Sequence, residues 1–67
     1  MNFGVRLMNE LEVERDLDYL YGKAMMIHKR PTEKNEDDFL ARIRVLVVDQ
    51  KMTDTAARSK AFNEIML

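Results

Sequence analysis

The side chains able to do covalent or acid-base chemistry are few in this sequence. There is one histidine, His28, and no cysteine. A hydroxyl nucleophile needs a base within hydrogen-bond reach. Thr32, Thr53, Thr55 and Ser59 have no second histidine with which to build a relay, and their places in a loop, at helix starts and on a helix suit structural roles. His28 has Ala24, Met25, Pro31 and Thr32 three and four positions away, so no helical neighbour completes a metal site. An imidazole near a helix C-terminus is favoured by the dipole, and His28 reads as a capping or half-buried structural residue. Glu10, Glu12, Glu14, Asp16 and Asp18 bring carboxylates close together. Carboxylate catalysis needs a cleft that lifts one pKa, whereas acids on the first turns of a helix complement its dipole and face water. The expectation is a protein with no catalytic residue, no metal and no cofactor, and so not an enzyme.

Basic residues gather later in the chain, at Arg42, Arg44, Lys51, Arg58 and Lys60. Two helices joined at Lys51-Met52-Thr53 would have the outline of a helix-turn-helix, with Thr55, Arg58 and Ser59 early in the second. This supports an alternative function, DNA-binding transcriptional regulation, with Arg58 and Lys60 as contacts. The turn lacks a glycine, Asp54 would face phosphates, and the net charge of −1 gives no overall attraction to nucleic acid.

The elements follow from spacing. Glycine occurs only at Gly4 and Gly22 and proline only at Pro31, which favours a few long elements. Val13, Leu17, Leu20, Ala24 and Ile27 recur at 4-3-4-3 spacing, one stripe of a helix. Asn9 with Glu12 forms a potential capping box, and Lys29, Arg30 and Pro31 suit an end. The first helix is expected over about 9–29. Residues 30–36 are polar and read as a loop. A second helix over about 37–51 starts from Asn35 or the acids Glu36, Asp37 and Asp38, and aligns Phe39, Leu40, Ile43, Leu46, Val47 and Gln50. A third over about 54–66, capped by Thr53 or Asp54, turns Ala56, Ala57, Ala61, Phe62, Ile65 and Met66 inward. Residues before Asn9 carry no assignment.

Residues 43–48 are rich in β-branched side chains, so an α+β fold with a strand there is the competing reading. Ile43-Arg44-Val45-Leu46-Val47-Val48-Asp49 resembles the first strand and first acid of a response-regulator receiver domain. The resemblance covers seven residues, and Gln50 stands where a second acid would be needed. It implies a strand at most, with no receiver function.

The fold class expected is therefore all-α: two to three helices in an antiparallel hairpin or bundle forming one small domain over 1–67. At 67 residues with 46% hydrophobic and 34% charged content the chain should fold. A single core of this size is marginal, however, and without cysteine no disulfide or thiolate metal site can reinforce it. Dimerisation would complete it. The dimer or partner surface is expected at Leu17, Leu20, Tyr21, Ala24, Ile27 and Phe39, with Leu11, Tyr19 and Met26 on a second apolar side of the first helix. Six methionines add adaptable apolar surface. No apolar run is long enough to span a bilayer, so no membrane association is expected, and the lack of cysteine suits the cytoplasm. The functional expectation is a small non-enzymatic regulator or adaptor that binds another protein and a second copy of itself. Analogy of size alone likens it to the short modulators encoded by bacteria and phages.

Overall fold

In the computed structural model, which describes residues 10–67, three α-helices pack on one another and no strand occurs among those residues. They are α1 (Glu10–Met26), α2 (Glu33–Val48) and α3 (Asp54–Met66). Contacts between their ends set the direction of each. Tyr21, late in α1, donates to Glu36, early in α2. Arg42 of α2 reaches Glu64, late in α3, while Asp16 and Arg58 join the first halves of α1 and α3. The chain thus runs up, down and up.

Residues 43–48 are helical. β-Branched residues cost a helix only a few tenths of a kcal/mol each, and tertiary burial overrides so small a term. In helical form Phe39, Ile43 and Leu46 share the face that α2 buries. They meet Leu20 and Ala24 of α1 and Ala57, Ala61, Phe62 and Met66 of α3, which together form the core. The two alanines let α3 come close. Tyr19, expected on an outer side of α1, instead packs against this core: its ring stacks on Phe39 at 6.3 Å and meets Phe62 edge-on at 6.3 Å. Ala56, expected to face inward, is exposed, as is Gln50.

Helix ends depart from the sequence expectation in three places. α1 stops at Met26, short of Lys29. His28 adopts the left-handed conformation (φ 57°), its N–H bonds to the Met25 carbonyl at 3.1 Å, and Lys29 N–H bonds to the Ala24 carbonyl at 2.9 Å. This is a Schellman ending made without glycine. The chain must leave the helix before Pro31, whose ring disfavours a helical residue in front of it. Lys29 then turns its ammonium to the Met66 carbonyl at 2.9 Å, tying the end of α1 to the end of α3.

α2 begins at Glu33, within the stretch expected as loop. Thr32 is its cap: Oγ1 accepts from Asn35 N–H at 3.1 Å and Asn35 Oδ1 accepts from Thr32 N–H at 2.9 Å, a complete capping box. This first turn is apolar-free because it lies outside the core, so hydrophobic spacing could not reveal it. α2 ends at Val48, short of residue 51, because Lys51 takes a left-handed conformation (φ 60°) and Met52 N–H reaches back to the Leu46 carbonyl at 3.1 Å. α3 opens on Thr53, whose Oγ1 accepts from Ala56 N–H at 3.2 Å. The expected Asn9 cap lies outside the described residues.

Candidate interaction surface

The acidic row of α1 does not face water throughout. Asp16 falls on the same stripe as Leu20 and Ala24, four and eight positions on, and is buried with them. Its Oδ1 accepts from Arg58 Nε at 2.7 Å, with side-chain exposures of 4% and 19%. Burial raises the Asp16 pKa above its ordinary value, and the Arg58 hydrogen bond and charge oppose that rise without cancelling it. The signal for this site was the four-residue spacing from Asp16 to Leu20, masked by the acids around it.

A cleft of about 110 Å³ borders this pair, lined by Glu12, Arg44, Val47 and Asp54 among others. Small-molecule sites measure roughly 300–1,000 Å³, so the cleft has room for a few waters only. Among the described residues no group of three or more His, Cys, Asp or Glu side chains is placed to hold a metal ion, and no helix is long and apolar enough to cross a membrane.

The cations of the DNA-binding reading are held by carboxylates. Arg58 is the partner of Asp16. Lys60 lies 3.4 Å from Glu64, which also receives Arg42 through Nε at 2.6 Å and Nη2 at 3.2 Å. The Arg42 hydrogen bond holds the Glu64 pKa below its ordinary value. The turn before α3 has no glycine and uses Lys51 in the left-handed conformation instead.

Of the residues expected at a dimer or partner surface, Leu20, Ala24 and Phe39 have no exposed area and fill the chain's own core. Leu17 and Ile27 are half-buried against it. Tyr21 is exposed. Helical spacing identifies residues that share a face, and here the main stripe of α1 is covered by α2 and α3.

Large apolar side chains remain on the opposite side of α1: Leu11 is 55% exposed, Met25 73% and Met26 75%. On the same side stands Gly22, at whose position a Cβ would meet nothing within 4 Å. Glycine inside a helix costs about 1 kcal/mol relative to alanine, and no contact within the described chain requires it here. Beside Met25 a shallow hollow of about 380 Å³ is walled by Tyr21, Lys29, Arg30 and Pro31. A second, between α2 and α3, exposes Ala41, Val45 and Ile65 between the ion-paired Arg42 and Glu64.

Comparison of the chain with protein-family models, with curated proteins and with solved structures gives no match.

Proposed function

We propose that this protein is a small non-enzymatic regulator or adaptor that works by presenting the outer face of α1 to other protein surfaces, a second copy of itself included. The observation that carries this reading is the exposure of Leu11, Met25 and Met26 beside a completed core. Apolar side chains concentrated on one side of a small protein mark interaction surfaces, and methionine adapts to the shape of what it meets. The absence of cysteine suits a reducing cytoplasm. The DNA-binding alternative draws less support because Arg58 and Lys60 already face carboxylates. Its signature would be a salt-sensitive mobility shift weakened by Arg58→Ala and Lys60→Ala.

The test is affinity capture from an extract of the source organism, with the tagged chain and with a Met25→Glu/Met26→Glu variant. The expected result is a protein retained by the first and lost by the second, with the helical circular dichroism of both equal. Equal capture by both, or nothing above the tag control, refutes the reading.

A further inference from the structure

Resting on that reading of α1, the geometry points to a specific occupant for its outer face: a second copy of this chain, joined through an antiparallel α1–α1 seam. Leu11, Arg15, Asp18, Gly22 and Met25 follow one another at 4-3-4-3 spacing, which places them in one row along the helix, and all are exposed. This row lies opposite the Asp16, Leu20 and Ala24 stripe that α1 buries in its own bundle. None of the row is accounted for by the described chain. Leu11 is more than half exposed, Gly22 faces open space, and Arg15 and Asp18 form no ion pair among the described residues.

A single arrangement accounts for Leu11, Arg15, Asp18 and Gly22. When two α1 helices cross antiparallel about a two-fold axis at the level between Asp16 and Leu17, Leu11 of each copy lies over Gly22 of the other. Arg15 of each lies beside Asp18 of the other. Two-fold symmetry makes every such contact twice. The glycine supplies the hole that the leucine fills, and the charges pair across the seam. A parallel seam would set Arg15 against Arg15 and Asp18 against Asp18, so charge selects the antiparallel form. A second copy is favoured over an unrelated partner because the face is complementary to itself, in shape at Leu11 and Gly22 and in charge at Arg15 and Asp18.

Sedimentation equilibrium at tens to hundreds of micromolar tests this. The wild-type chain should approach twice its 7.9 kDa mass. Arg15→Asp and Asp18→Arg should each weaken the dimer by about tenfold or more, because each places like charges in contact. Mixing the two variants in equal amounts should restore a dimer of doubled mass, since each then supplies the charge the other lacks. Gly22→Leu should weaken association while raising the thermal midpoint of the monomer, which separates a blocked seam from a misfolded chain. A wild type that stays at 7.9 kDa throughout this range, single variants that associate as the wild type does, or a mixture no tighter than its components would each overturn the proposal. The capture experiment separates this from the broader reading. If the wild type is monomeric and Met25→Glu/Met26→Glu still abolishes capture of another protein, α1 is a docking face whose occupant is not a second copy. If capture also survives that double replacement, both readings fall.

Discussion

Removing Arg58 tests what the ion pair between α1 and α3 contributes. Asp16 is buried, and Arg58 Nε is 2.7 Å from its Oδ1. Arg58→Ala leaves a carboxylate inside the bundle without its counter-charge. Breaking a fully buried pair costs about 3–5 kcal/mol, and the partial exposure of Arg58 reduces this to about 2–3 kcal/mol. A chain of this length has a total stability of about 3–10 kcal/mol, so the variant loses a large share of it. Urea unfolding followed by circular dichroism at 25 °C measures the loss, with Arg58→Met as a variant that keeps the apolar stem.

The pH dependence is the sharper part. The Asp16 pKa in the fold already lies above its ordinary value, and taking away Arg58 removes the groups that lower it. A carboxyl whose folded pKa is raised stabilises the fold while it holds its proton, and that contribution is lost as pH rises through the folded pKa. The gap between wild type and variant should therefore be widest near pH 7 and narrow toward about pH 4. The double replacement Asp16→Leu/Arg58→Met should return to within about 1 kcal/mol of wild type or exceed it, because well-packed apolar residues replace a buried pair at little cost. A single-variant loss below about 0.5 kcal/mol, or one independent of pH, would refute the assignment of this pair as a buried tie between helices.

Three further outcomes are expected. Thr32→Ala should lower stability by about 1 kcal/mol through loss of the side-chain half of the capping box, read as a lower urea midpoint at unchanged slope. Lys51→Gly should raise stability by about 0.5–1 kcal/mol, because a left-handed backbone strains any residue with a Cβ; a decrease would show that the lysine side chain outweighs its backbone. The Tyr21 hydroxyl, donating to Glu36, has its pKa raised by that hydrogen bond above the ordinary 10.0. Its contribution is present below that value and lost as pH rises through the folded pKa. Tyrosinate absorbance in a Tyr19→Phe background should show titration delayed relative to the unfolded chain, and Glu36→Gln should abolish the delay.

Much of this fold was legible because the core is built from apolar residues at helical spacing. Leu20 and Ala24, Phe39 with Ile43 and Leu46, and Ala61 with Phe62 all occupy the positions their periodicity indicates. What stayed hidden was governed by something else. The Thr32 capping box depends on hydrogen bonds, and the turn it opens carries no apolar residue. His28 and Lys51 end their helices with left-handed backbones, for which glycine is the usual sign, and neither is glycine. Asp16 is buried by its place in a stripe although its charge argues for water. That the main stripe of α1 is covered by its own chain was hidden for a related reason. Leu20, Ala24 and Phe39 were assigned to a surface because helical spacing does not record whether a face is covered from within the chain or from outside it. Gly22 lies on the opposite side of α1, and the empty space around it is known only once the bundle is closed.

The three helices do not share their contacts evenly. α2 and α3 pack most extensively on each other, and α1 rests on both with less. In a cooperative chain the least-held element sets the lowest-energy partial opening, so α1 is the unit that undocks first, taking the Tyr19 ring away from Phe39 and Phe62 while α2 and α3 stay paired. Amide protons of α1 then exchange by a route that bypasses global unfolding. A partner bound to its outer face would slow that exchange without touching any residue of the core.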